Sequence, residues 1–196
     1  MKSILLACLL GLLMINHTCH ADDLEQLVKA AEQGFPKSQY NLGLRYQQGK
    51  GVPQDYAEAI KWYSRSAKQG VVQAQYNLGI LYSAGLGVEK DSKKALEWYR
   101  QAAEQGFAKA QFNLGVMYQE GDGVAPDHRI AVEWYTKAAE QGIVGAQYNL
   151  GVYYQENAMI FREYQDKAIY WYTKAAEQGH ANAKANLAMM LSEKEK

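Results

Sequence analysis

The sequence predicts an all-α fold: a right-handed α/α superhelical solenoid of about four 36-residue helix pairs with half-repeat caps. Three observations predict it. Tryptophans recur as Trp62, Trp98, Trp134 and Trp171, at spacings of 36, 36 and 37 residues. The string AAEQG ends at Gly34, Gly106, Gly142 and Gly179, with the variant SAKQG ending at Gly70. QYNLG or QFNLG starts at Gln39, Gln75, Gln111 and Gln147. Self-similarity at such a period marks stacked units, none of which can bury its apolar face alone. No segment alternates with period two, so no sheet is expected.

Residues 1–21 stand apart from the repeats. Met1-Lys2-Ser3 is a short positive start, Ile4 to Ile15 is a run of 12 apolar or small residues, and Ala21 ends the string NHTCHA. This is the pattern of a secretory signal peptide cut after Ala21, with an uncleaved anchor, or a lipid anchor at LLAC (5–8), as the alternatives. A membrane span needs roughly 20 apolar residues, so no membrane insertion is expected once the leader is gone. The expected location is the periplasm, or outside the cell. Both cysteines, Cys8 and Cys19, belong to the leader, so the mature chain uses no disulfide and its stability rests on packing. Without the leader the chain has 20 basic and 21 acidic residues. That balance offers no clustered positive surface for a phosphate backbone, and no nucleic acid is expected as a partner.

Residues 22–196 are read as a single repeat solenoid. Its full units are 35–70, 71–106, 107–142 and 143–179, between a leading half unit, 22–34, and a trailing one, 180–196. The first helix of unit one is expected over about 37–48, with Ser38, Leu42 and Tyr46 on one packing stripe. Gly43 interrupts that stripe, at a cost of about 1 kcal/mol against alanine. Gly79, Gly115 and Gly151 repeat it and Ala188 stands in last place, so close approach of a neighbouring helix is expected there. The second helix follows Asp55, Asp91 or Asp127, each placed to cap free N–H groups, with Glu58 at capping-box spacing. Ala59, Trp62, Tyr63, Ser66 and Ala67 supply its buried stripe. Gly70 and its equivalents suit a left-handed stop. Ten helices result: one leading, four pairs and one trailing.

The stretch AQYNLGILYSAGLGVEKDSKKALEWYRQAAEQG, residues 74–106, resembles the Sel-one-like repeat, a relative of the tetratricopeptide repeat with a longer loop between its helices. The elements A-x-x-x-L-G-x-x-Y, G-x-G-V, A-x-x-W-Y and A-A-x-x-G all recur. The resemblance implies a non-catalytic adaptor or scaffold that binds a protein or peptide. Exported bacterial members are associated with envelope assembly, host contact and the neutralising of secreted toxins, and one cysteine-rich branch with β-lactam binding. An immunity-type inhibitor of an exported toxin and a β-lactam-handling enzyme are therefore the alternatives.

In the related tetratricopeptide fold the first helices line a concave groove. Carried onto this chain, that face takes Lys37, Tyr40, Asn41 and Leu44; Gln73, Tyr76, Asn77 and Ile80; Lys109, Phe112, Asn113 and Val116; and Tyr148, Asn149 and Val152. Gln47, Ser83, Gln119, Gln155 and Gly145 extend the same sets. Asparagine is disfavoured inside helices, yet it recurs at Asn41, Asn77, Asn113, Asn149 and Asn186. Its amide suits the backbone of an extended peptide, and equally an internal bond between helices. The aromatic column Tyr40, Tyr76, Phe112, Tyr148 carries the same two readings. The four tryptophans are assigned to the repeat interface.

Unit four breaks the pattern. Three loops carry Gly-x-Gly, but YQENAMIFREYQDKA at 154–168 drops both glycines and sets Met159, Ile160 and Phe161 at the tip. An exposed apolar tip marks a partner patch; packing on the trailing helix with its Met189, Met190 and Leu191 is the other reading.

A catalytic constellation is absent from the sequence, and the chain is read as no enzyme. Past the leader only His128 and His180 remain, isolated, so no metal or cofactor is expected. Neither Ser-x-x-Lys nor Lys-Thr-Gly occurs. GKGVPQ at 49–54 and GLGVEK at 85–90 lack the spacing of a phosphate loop and serve as turns.

Overall fold

The computed structural model describes residues 23–158 and 162–194. The predicted leader and the Met159-Ile160-Phe161 tip lie outside the described residues. The described residues form ten helices: α1 (23–32), α2 (Pro36–Gln48), α3 (Tyr56–Lys68), α4 (Val72–Ala84), α5 (Ser92–Glu104), α6 (Ala108–Glu120), α7 (His128–Glu140), α8 (Val144–Glu156), α9 (Arg162–Glu177) and α10 (Ala181–Lys194). No strand occurs among them. Even-numbered helices are the first of a pair and odd-numbered ones the second, as the half-unit arithmetic predicts. The chain divides into two compact units, Met1–Asp91 and Ser92–Lys196. In the first, α2 packs on α3 and α3 on α4; in the second, each helix from α5 to α10 packs on the next.

The helix ends follow the sequence signals. Asp55 Oδ1 accepts from the N–H groups of Ala57 and Glu58 at 2.9 and 3.0 Å, and Asp127 Oδ1 from Ile130 at 3.0 Å. The capping box does not close. The Asp55 N–H donates to the Tyr46 carbonyl at 2.9 Å, which leaves Glu58 to pair with Lys61 one turn on. Second helices stop on left-handed Gly34, Gly70, Gly142 and Gly179, and the residue after each glycine donates to the carbonyl five positions back, as Val71 does to Ser66. This is the Schellman arrangement.

The mid-helix glycine has the predicted cause. A Cβ on Gly43 would lie 2.7 Å from Tyr63 Cδ1, and one on Gly115 would lie 2.6 Å from Tyr135 Cδ1. Gly151 stands in the same relation to Tyr172. In each pair the tyrosine ring of the second helix lies directly on the backbone of the first. Tyr63 and Tyr172 are fully buried and Tyr135 nearly so. Around them sit Leu42, Leu114 and Leu150 together with the small residues Ala59, Ala131 and Ala168.

The inter-helix loops lean backward along the chain. Gly87 and Gly123, the second glycines of their loops, would place a Cβ 2.5 Å from Tyr56 Cβ and 2.6 Å from the Ser92 carbonyl carbon. Each loop thus rests on the start of the preceding repeat's second helix, where no side chain fits. Unit four, without these glycines, is built differently. Asn157 Nδ2 folds back to the Tyr153 carbonyl at 2.8 Å, and α9 runs 16 residues against 13 in α7. Its extra turn brings Tyr164 edge-on to Tyr154, with centroids 4.9 Å apart and the Lys167 ammonium nearby.

Candidate binding surface

Apart from Asn77, Asn113 and Asn149, which are half-buried, the predicted groove residues fall into three groups. Lys37, Asn41, Gln73 and Lys109 are exposed. Leu44, Tyr76, Ile80, Val116 and Val152 are half-buried, each presenting part of its side chain to solvent. Tyr40, Phe112 and Tyr148 are also half-buried, but their rings lean on Tyr63, Tyr135 and Tyr172 at centroid distances of 5.7, 5.9 and 6.0 Å. Phe112 reaches farther still: a Cβ on Gly145 would lie 3.0 Å from Phe112 Cζ. Glycine stands at that position of α8 because the neighbouring first helix lays a ring across it.

Asn77, Asn149 and Asn186 of the asparagine column have an internal partner. The amide of Asn77 hydrogen-bonds the Tyr63 hydroxyl, and that of Asn149 the Tyr135 hydroxyl. Asn186 Nδ2 donates to Tyr172 Oη at 3.0 Å. Each tyrosine passes the bond on. Tyr63, Tyr135 and Tyr172 donate to Oε1 of Gln47, Gln119 and Gln155 at 2.6, 2.8 and 2.6 Å. One hydroxyl therefore ties the first helix of its own repeat to the first helix of the next. Burial disfavours the tyrosinate form and pushes Tyr135 up to about 12; Tyr63 and Tyr172 shift in the same direction for the same reason. Asn41 differs. The residue of α1 at the tyrosine register is Leu27, which lines a shared pocket of about 300 Å³ with Asn41, Leu44 and Arg45.

A second buried ladder was not singled out from the sequence. Nε2 of Gln39, Gln75, Gln111 and Gln147 donates to the carbonyls of Ala31, Ala67, Ala103 and Ala139 at 3.1 to 3.2 Å. Oε1 of Gln39, Gln111 and Gln147 accepts from Gln69, Gln141 and Gln178 at 2.7 to 2.8 Å. The signal was present, since these glutamines open every QYNLG or QFNLG string and stand just before the last glycine of the AAEQG and SAKQG strings. The tryptophans are half-buried rather than core, with the Arg65 and Lys137 cations over Trp62 and Trp134 at 4.5 and 4.1 Å.

One pocket gathers predicted residues in the second compact unit. It holds about 90 Å³ and is lined by Gln119 of α6, Asn149 and Val152 of α8, Tyr135 and His128 of α7, and Glu156. Among the described residues no group of three potential metal ligands occurs, and no helix is long and apolar enough to cross a membrane.

The Sel1 repeat model matches residues 36–71, 72–107, 108–143 and 144–180, one residue later than the units read from the sequence. Among solved structures, c5321, a protective antigen present in uropathogenic Escherichia coli strains and displaying an SLR fold, is 43% identical over 85% of this chain with a TM-score of 0.78. A Sel1 repeat protein from Oxalobacter formigenes is 39% identical over 83% of the chain, with a TM-score of 0.69. The chain spans 36% and 64% of the lengths of these two proteins. Helicobacter pylori cysteine rich protein B, at 23% identity and a TM-score of 0.50 over 65% of this chain and 91% of its own, shares the fold alone. No curated protein matches the sequence. Sel1 repeats commonly mediate protein–protein interaction. Four matched repeats over most of its length make this chain a member of the Sel1 repeat family.

Proposed function

We propose that the protein is a non-catalytic adaptor of the cell envelope, exported by way of residues 1–21, that holds a protein or peptide on the faces of its first helices. The pocket joining Gln119, Asn149 and Val152 carries this reading. It sets residues of two successive first helices around one recess, and an anchor side chain in a recess supplies most of the energy of such interfaces. The tyrosine bonds hold Asn149 and Gln119 in place, so the recess is preorganised and costs little to order on binding. Half-exposed Val116 extends the apolar surface along α6.

The test is affinity capture from the native envelope with cross-linking and mass spectrometry. Val152→Arg fills the recess with charge at a half-buried position, and circular dichroism of the variant checks that the helices are kept. The substitution is expected to weaken a captured partner about tenfold or more, with cross-links near Lys109. Undiminished capture by both Val152→Arg and Leu44→Arg would overturn the reading. The intact mass of the same preparation is expected to begin at residue 22, and a mass that retains residues 1–21 would contradict cleavage on export.

A further inference from the structure

The first and last helices among the described residues are the two halves of one repeat. Helix α1 is a second helix: it ends in AAEQG, and its Ala31 carbonyl accepts from Gln39 as the Ala67 carbonyl does from Gln75. Helix α10 is a first helix: its Asn186 bonds the tyrosine of the preceding helix as Asn77 and Asn149 do. Among the described residues α1 has no first helix of its own and α10 no second one.

Both faces that such a mate would cover are open. In complete repeats the register of Ala30 is taken by Ser66, Ala138 and Ala175, all 0% exposed, whereas Ala30 is half-exposed. On α10 the registers that receive the second helix hold Lys184, Ala188 and Leu191, all exposed. Their equivalents Gln147 and Gly151 are buried, and Tyr154 packs on Tyr164. Leu191 stands 44% exposed and the adjoining Met189 45%, more apolar surface than a solvated cap requires.

The residues that change at these ends change in matched fashion. Glycine is needed at residue 151 because a tyrosine ring lies on it. Helix α10 has Ala188 there, and α1 has Leu27, not tyrosine, at the ring's register. The Gln178-to-Gln147 hydrogen bond becomes a pairing of Gln33 with Lys184, whose ammonium can donate to an amide oxygen.

We infer that the protein associates head to tail with a second copy of itself, α1 of one molecule seating on α10 of the next as the second helix of a fifth repeat. Such a contact is heterologous: it joins two different surfaces and continues from copy to copy unless the ring closes.

The test uses purified full-length protein, as the producing cell processes it, in sedimentation velocity over a range of concentrations. Wild type is expected to shift from monomer to dimer and larger species as concentration rises. Ala30→Glu blocks one face and Leu191→Glu the other, each by placing an unpaired carboxylate in the seat. Each alone is expected to weaken self-association about a hundredfold or more. Mixed together, they keep one intact face each and are expected to restore a dimer and nothing larger. Circular dichroism of each variant checks that the fold is kept. A wild type that stays monomeric at every concentration overturns the proposal, as does an Ala30→Glu variant that still self-associates, which would place α10 against α10.

Discussion

Replacing Tyr135 by alanine is expected to lower stability by about 3–5 kcal/mol, the range for removing a large buried aromatic side chain. The ring is 2% exposed, lies on the Gly115 backbone and sits tilted beside Phe112. Its loss also strips Gln119 and Asn149 of their shared hydroxyl. Tyr135→Phe separates the two effects. It keeps the ring and removes the hydroxyl, and is expected to cost about 1 kcal/mol. Gly115→Ala attacks the same contact from the other side. Its methyl would sit 2.6 Å from the ring, and overpacking of this kind costs about 1–3 kcal/mol. The shortfall should shrink when Tyr135→Leu is added, since Ala188 and Leu27 are the residues the end helices place at these two registers. Urea unfolding followed by circular dichroism measures all four. A Tyr135→Ala variant within 1 kcal/mol of wild type would mean that the ring does not hold the pair together.

Raising the pH above about 10 is expected to unfold the protein progressively. The unfolded chain ionises its tyrosines near 10, whereas burial holds Tyr135 protonated to about 12 and moves Tyr63 and Tyr172 the same way. Below 10 both states keep the proton and the burial contribution is complete. Between 10 and 12 the unfolded state sheds a proton that the folded state keeps. For Tyr135 this costs about 1.4 kcal/mol of stability per pH unit, and Tyr63 and Tyr172 add to the loss in the same direction. Above its folded value the group ionises in both states and adds no further slope. The measurement is the urea midpoint against pH, with tyrosinate absorbance recorded in parallel. The buried tyrosines should ionise together with the loss of helix, and Tyr135→Phe should make the slope shallower. Full tyrosinate absorbance near pH 10 in a protein that remains helical would refute the burial assigned to the three rings.

Periodicity is what made the fold legible. The 36-residue spacing, the aspartate caps and the glycine stops gave ten helices with boundaries close to those observed. Gly43 was readable because a mid-helix glycine asks for a close neighbour. The identity of that neighbour was not, since Tyr63 lies 20 positions on in another helix. The partner of Asn77 was hidden in the same way, being the tyrosine of the preceding repeat. A single helix shows the asparagine as an unexplained polar residue, and only stacking brings the hydroxyl to it. The buried glutamines were masked by their own chemistry, because glutamine in a helix ordinarily reads as surface. In unit four the missing glycines announced a change, but no local signal said that α9 would start a turn early.

Where it is seen, at Tyr63, Tyr135 and Tyr172, the hydroxyl relay uses the same atoms, and the glutamine-to-alanine bonds recur at Gln39, Gln75, Gln111 and Gln147. Any cassette of 36 residues carrying these groups presents one edge that fits its own opposite edge. Duplication or loss of such a cassette in the gene would leave every remaining seam chemically whole. The number of repeats is therefore not fixed by folding; it is open to selection on the length of surface the array presents.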